Sequence, residues 1–150
     1  MISIRLANFD TDALEIVNGA REFSQSISLS SWFRSGDEFV QDISKIMTME
    51  NIDILVAEHN GKIVGGVGIV YVPFIWNQSI LVGDEVFWWA YPQAPFRTGR
   101  ALFDFAIKLV EKEKGARPVF RSLDTSPEHI GKFYERQGLT KFESAYTRIE

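Results

Sequence analysis

The chain of 150 residues contains no cysteine. That excludes a disulfide framework, a thiolate zinc site and a cysteine nucleophile. It also fits a reducing compartment, so a cytoplasmic location is expected. No apolar run approaches the ~20 residues of a membrane span. The longest, Ile63–Ile75, is broken by Gly65, Gly66, Gly68 and Pro73. The opening Met1-Ile2-Ser3-Ile4-Arg5 lacks a basic region followed by an apolar one, so no signal peptide is expected. Basic charge is also scarce. Sixteen Lys and Arg stand against twenty Asp and Glu, for a net charge of −4. A general nucleic-acid binder needs a basic face to displace counterions, so that class is disfavoured. Two histidines, His59 beside a turn and His129 near a helix start, do not make a metal site. Repeats and low-complexity segments are absent.

The chain is 45% hydrophobic and 24% charged, which is the composition of a folded domain. Its length predicts a single domain over residues 1–150. Aromatic residues make up 13% of it, with four tryptophans, and suggest wide rigid walls around a core or pocket.

Ile2–Leu6 alternates as a first strand. Asp10-Thr11-Asp12 offers an N-cap to a helix carrying Leu14, Ile16, Val17, Ala20 and Phe23. Ser24–Arg34, with Trp32 and Phe33 embedded, reads as a loop or an irregular turn. Ser35-Gly36-Asp37-Glu38 opens a second helix with a stripe of Phe39, Val40, Ile43, Ile46 and Met47. Asp53–Glu58 and Ile63–Tyr71 are strands joined by Asn60-Gly61, a strong hairpin signal. The glycines at 65, 66 and 68 predict a bulge or a close backbone approach. Asn77-Gln78-Ser79 reads as a turn, Ile80–Tyr91 as a long strand, and Gly99 or Arg100 to about Lys114 as a helix stopped by Gly115. Arg117–Leu123 is a strand. Ser126 with Pro127 caps a fourth helix, which Gly138 ends. Leu139–Ile149 reads as one or two closing strands. This order predicts an α+β fold with a mixed sheet covered by helices.

Val86–Gly115 carries the chemistry. An apolar strand runs through Trp88 and Trp89 into a loop bearing Arg97, Thr98, Gly99 and Arg100, then into an amphipathic helix. The first turn of a helix leaves N–H groups unpaired and favours negative charge. Gly99 lets backbone approach a phosphate, and the two arginines add charge-assisted bonds. Taken alone, the same turn also reads as a simple change of chain direction.

The element order and the run Phe133-Tyr134-Glu135-Arg136-Gln137-Gly138-Leu139 resemble the GNAT superfamily of acetyl-CoA-dependent N-acetyltransferases. The run is similar to the family's aromatic-Tyr-x-x-x-Gly-Phe signature, with Leu139 for Phe. Phe96-Arg97-Thr98-Gly99-Arg100-Ala101 is the nearest frame to its pyrophosphate loop, Gln/Arg-x-x-Gly-x-Gly/Ala. Gly99 and Ala101 match, and Phe96 departs. Trp88-Trp89 before a Pro and an Arg is similar to small phage-encoded members. The resemblance implies a central mixed, mostly antiparallel twisted sheet flanked by about four helices, and an acyltransferase without a metal. Acetyl-CoA would lie where Ile80–Tyr91 and Arg117–Leu123 splay apart. Its pantetheine would pair with backbone at Trp89, Ala90 and Tyr91, and its pyrophosphate would sit on Arg97–Ala101. A primary amine would attack the thioester directly. Tyr134 would protonate the thiolate, and Glu85, rather than Asp84, would take a proton from the amine. Trp32 and Phe33 fall where the family builds its acceptor site. Pro127 stands where many members carry an Asn that contacts the cofactor.

Each residue also has a plainer role. Tyr134 reads as a core tyrosine four residues after Ile130, and Glu85 as a solvated strand carboxylate. Trp32 and Phe33 read as packing under a loop. The alternative to an enzyme is a non-catalytic binding or structural protein on the same fold, which the altered loop and missing Asn favour. The acceptor is unspecified, and an exposed aromatic edge would permit a homodimer.

Overall fold

The computed structural model describes residues 1–149. Strands β1 (Ile2–Leu6), β2 (Ile52–His59), β3 (Lys62–Phe74), β4 (Asn77–Ala90) and β5 (Arg117–Val119) form one sheet in that spatial order. The first four run antiparallel, and β5 joins β4 in parallel. Helices α1 (Ala13–Ser26) and α2 (Gly36–Met47) are linked by a 3₁₀ turn, Ser28–Trp32. Helix α3 (Thr98–Lys108) continues into a π-helical stretch, Leu109–Glu113, and α4 (Ile130–Arg136) follows β5. The mixed, mostly antiparallel sheet with four helices is the expected α+β class.

Side chains alternate between the two faces of a strand. In β2, Ile54 and Val56 pack with Ile16, Val17, Phe39 and Ile43 of α1 and α2. Leu55 and Ala57 pack with Leu102, Ala106 and Val110 on the α3 side. The centre of the sheet is therefore buried on both faces, which explains the unbroken apolar run of Ile54–Ala57.

The β3 glycines answer to two constraints. Gly66 pairs with Trp89 and Gly68 with Phe87. A Cβ on Gly66 would meet the Trp89 indole at 2.3 Å, one on Gly19 of α1 would meet it at 2.0 Å, and one on Gly68 would meet the Phe87 ring at 2.5 Å. The two rings stack with centroids 5.7 Å apart. Bulges flank this floor. The register shifts between Ala57 and Glu58, leaving Val64 as an extra residue, and between Gly68 and Ile69, leaving Val86 as one.

Several boundaries differ from the sequence reading. Ile75-Trp76, rather than Asn77–Ser79, turns β3 into β4, because Phe74 pairs with Asn77. The Asn77 side chain satisfies Ser79 locally instead. Helix α1 extends to Ser26, and the turn after it is helical rather than a loop. The Asp12 carboxylate does not cap α1. It pairs with Arg5 at 2.7 Å and accepts the Asn8 N–H at 2.7 Å, and the guanidinium lowers its pKa. Ser126 and Pro127 do not open α4, which begins at Ile130; the Ser126 hydroxyl accepts the Leu123 N–H at 2.9 Å.

The strand expected over Arg117–Leu123 stops at Val119. Beyond it, Phe120 turns into an aromatic cluster against Phe103 of α3, at 4.9 Å. The closing strands expected over Leu139–Ile149 do not form. That tail lies outside the sheet, with Phe142 and Tyr146 largely exposed. Among the described residues, no helix is long and apolar enough to cross a membrane.

The Trp89 floor generates a stability prediction. Gly66→Ala should lower stability by about 1–3 kcal/mol through overpacking, with Tm falling ~2–4 °C per kcal/mol. Gly131→Ala, whose Cβ meets nothing within 4 Å, should hold or gain stability. Urea denaturation of both variants measures the difference, and equal midpoints would overturn the close-approach account.

Candidate functional site

The sheet opens between β4 and β5. Val82–Asp84 pair with Arg117–Val119, and no pairing continues past Asp84. Beyond that point β4 has a free edge. The Tyr91 N–H donates to Val64 on β3 at 2.9 Å. Antiparallel ladders alternate between bonded and outward-facing residues, so the backbone groups of Trp88 and Ala90 face the free edge. Of the three residues expected to pair with an added chain, only Ala90 therefore offers backbone to the gap. Tyr91 has spent its N–H on β3, and the Trp89 side chain is core.

Glu85 sits at the apex of the gap, beside the Val86 bulge. It is 5% exposed. Its Oε1 accepts the Arg121 backbone N–H at 3.4 Å. Burial pushes its pKa up to about 7, against weaker lowering by the Arg121 N–H and guanidinium. Asp84 is the next residue but is spent differently, with both oxygens on Arg121 Nη2 at 2.9 and 2.8 Å.

Tyr134 reaches the other backbone group of Arg121. Its hydroxyl donates to the Arg121 carbonyl at 3.0 Å. Phe103 holds it in place, with ring centroids 5.9 Å apart, and Phe120 packs at 6.0 Å. Burial, and secondarily the charge of Glu85, pushes the phenol above its ordinary pKa. The backbone of one residue, Arg121, thus touches Glu85 with its N–H and Tyr134 with its carbonyl, through the two successive peptide groups that flank it. The sequence reading did not single out Arg121. Its only signal there is a basic residue near Asp84 in a neighbouring strand, and the register that brings them together is tertiary.

The loop before α3 has unpaired donors. Arg97 adopts a left-handed conformation, with φ 71°, and accepts the Ala101 N–H at 2.9 Å. Thr98 turns inward, and both its N–H and its hydroxyl donate to the Pro95 carbonyl. Thr98 and Ala101 therefore have no free N–H to offer an anion, contrary to a reading in which all of Arg97–Ala101 grips one. The N–H groups of Gly99 and Arg100 take no partner among the described residues. Gly99 needs no positive φ, and a Cβ there would meet only Trp88, at 3.8 Å. The fold itself does not require glycine at this position. Arg100 is drawn toward Asp104 at 3.5 Å and lies over Phe133, while Arg97 forms no ion pair among the described residues and lies over Phe96.

On the other side of Glu85, a cavity of about 280 Å³ opens to solvent. Phe23 comes from α1 and Ile27 follows its last residue, while Leu29 and Trp32 come from the turn after it and Phe33 from the residue that ends that turn. Val86, Leu123 and Arg121 complete the wall around the carboxylate. Trp32 and Phe33, singled out in the sequence, thus reach the same cavity as Glu85. His59 donates its Nδ1–H to the Met1 carbonyl, and His129 is exposed at the start of α4. Among the described residues no group of side chains is arranged to hold a metal.

No family model matches the chain, and no curated protein matches it. Solved structures do. It is similar to a ribosomal-protein-alanine N-acetyltransferase from Brucella melitensis biovar Abortus 2308, with a TM-score of 0.75 and 17% identity over 99% of this chain and 98% of that one. An aminoglycoside acetyltransferase from an uncultured soil metagenomic sample, in complex with trehalose, has a TM-score of 0.72 and 17% identity, covering 98% and 93%. A predicted acetyltransferase with acetyl-CoA from Clostridium acetobutylicum has a TM-score of 0.68 and 13% identity, covering 99% and 96%. The fold is therefore that of the GNAT acetyltransferases.

Glu85 should leave a mark on the pH dependence of stability. Its folded pKa lies above the ordinary carboxylate value of 4.5, so between about pH 4.5 and 7 the folded chain holds the proton more tightly than the unfolded chain. Stability should fall as pH rises through that window, by on the order of 3 kcal/mol. Glu85→Gln should remove that slope. Urea titrations from pH 4.5 to 8 measure it, and identical slopes in both proteins would show that Glu85 titrates normally.

Proposed function

We propose that the chain transfers an acetyl group from acetyl-CoA to a primary amine by direct attack within the β4–β5 gap. The observation that carries this reading is the backbone of Arg121, with Glu85 on its N–H and Tyr134 on its carbonyl, set where the sheet opens. The acetyltransferase names of the structural neighbours support it. The cofactor-binding surface is the free β4 edge at Trp88 and Ala90, followed by the Gly99 and Arg100 N–H groups with Arg97 beside them. A glycine that the fold does not need, next to unpaired donors and a strained arginine, suits a phosphate that a Cβ would displace.

Acetyl-CoA supplies an activated acyl group as a thioester. Glu85 takes a proton from the ammonium, directly or through water, and leaves a neutral amine. A carboxyl with a pKa near 7 suits a base at neutral pH. The nitrogen lone pair forms the N–C bond at the thioester carbonyl carbon. Outward-facing donors of the β4 edge stabilise the oxyanion. The C–S bond then breaks, and its electron pair stays on sulfur. Tyr134 gives the thiolate its proton. A hydroxyl has one hydrogen, so Tyr134 must release the Arg121 carbonyl to do this, and it regains a proton as the amide nitrogen loses one. The products are an amide, a thiol and one proton from the original ammonium.

That existing Tyr134 bond also supports the alternative, a GNAT-fold protein that binds acetyl-CoA without turnover. Two substitutions separate the readings. Gly99→Glu should abolish the melting shift given by acetyl-CoA, which for wild type is about 2.7 kcal/mol at a hundred times Kd, while the variant stays folded. Tyr134→Phe should cut kcat by ~10²–10⁴ with a good amine and move the Kd for acetyl-CoA by much less. Normal turnover in Tyr134→Phe would make the tyrosine purely structural. No melting shift in wild type at millimolar acetyl-CoA would remove the enzyme reading.

A further inference from the structure

The cavity beside Glu85 has a lopsided chemistry. One carboxylate, Glu85, is buried in it. One guanidinium, Arg121, borders it and is already paired with Asp84 at 2.8 Å and with Glu143 at 3.7 Å. Asp124 stands just past Leu123, and its carboxylate is held by the Ser28 hydroxyl. Everything else in the wall is apolar, and two aromatic residues there remain wet: Trp32 is 55% exposed and Phe33 is 38% exposed.

From this wall we infer that the acceptor is a small primary monoamine with one apolar body, an aromatic ring or a branched aliphatic chain. This rests on the acetyl-transfer reading of the same gap. The ammonium faces Glu85, a carboxylate with a backbone hydrogen bond but no ion-pair partner among the described residues. The apolar body covers Trp32 and Phe33, whose ring faces also favour a nearby cation. A second ammonium or a set of hydroxyls would lie against Phe23, Ile27, Leu29 and Leu123, which offer no hydrogen bond and make desolvation unfavourable. Polyamines and aminoglycosides are thereby disfavoured. The volume of about 280 Å³ lies at the small end of the roughly 300–1,000 Å³ of small-molecule sites, which suits a small amine.

The test uses 2-phenylethylamine, isoamylamine, ethylamine, spermidine and kanamycin, read by calorimetry without acetyl-CoA and by thiol release with it. 2-Phenylethylamine and isoamylamine should have kcat/KM at least tenfold above ethylamine, spermidine and kanamycin. Trp32→Ala should raise the KM for 2-phenylethylamine at least tenfold and that for ethylamine less than twofold, since ethylamine is too short to reach the wall. Trp32 is half exposed, so this variant keeps its fold. Spermidine or kanamycin as the best substrate, or an unchanged KM in Trp32→Ala, overturns the proposal and leaves acetyl transfer standing. Acetyl-CoA binding with no amine bound or acetylated also overturns it. Failure of acetyl-CoA to bind removes the acetyl-transfer reading instead, and calorimetry of 2-phenylethylamine alone still decides whether the cavity takes an apolar amine.

Discussion

The Trp89 indole lies flat between the backbone of α1 at Gly19 and that of β3 at Gly66. A large, flat side chain in the middle of a central strand fits only if both neighbours have no Cβ. That contact sets how closely α1 approaches the sheet. It also brings the C-terminal end of α1, with Phe23, over the β4 bulge, where Phe23 meets Phe87 at 6.5 Å between ring centroids. The floor of the cavity beside Glu85 is therefore an outcome of the same packing that closes the core.

The second constraint is the separation of β4 from β5. A parallel pair that continued past Asp84 and Val119 would bond Arg121 to β4 backbone. Instead the extra residue Val86 changes the twist of β4, and the aromatic cluster around Phe103 draws the chain after β5 toward α4. The Arg121 N–H finds the Glu85 carboxylate, and the Asp84–Arg121 ion pair fastens the mouth of the split. A polar group buried here needs a partner, so one backbone amide both satisfies and positions Glu85. The dry surroundings that hold the carboxyl near neutral pH are the surroundings that a proton-accepting group requires.

Electrostatics divide the gap into two ends. Toward α3 there are free N–H groups and Arg97, so negative charge is favoured. Toward α1 there is one carboxylate among apolar walls, so a single positive charge is favoured. A chain with net charge −4 reaches this arrangement locally rather than through its overall balance.

Much of this was legible from the residues in order. Asn60-Gly61, with φ 52° and 75°, made its hairpin because those residues tolerate that turn. The α1, α2 and α3 stripes faced the sheet because helical periodicity survives any context that buries one side. Gly65, Gly66 and Gly68 announced a close approach, although not that Trp89 was the group approaching. Pattern failed where the partner decides the structure. Arg117–Leu123 has strand-like residues, but only three of them met a register on β4, and Leu139–Ile149 found none. Sequence also pointed to Glu85, Tyr134, Gly99, Trp32 and Phe33 one at a time. That Glu85 and Tyr134 both bond the Arg121 backbone, that Thr98 is spent on Pro95, and that Tyr91 is spent on β3 follow from hydrogen bonds between distant or turning segments. Local propensity is a property of neighbours in the chain. Which donor meets which acceptor across a gap depends on register and packing, and only the folded chain determines those.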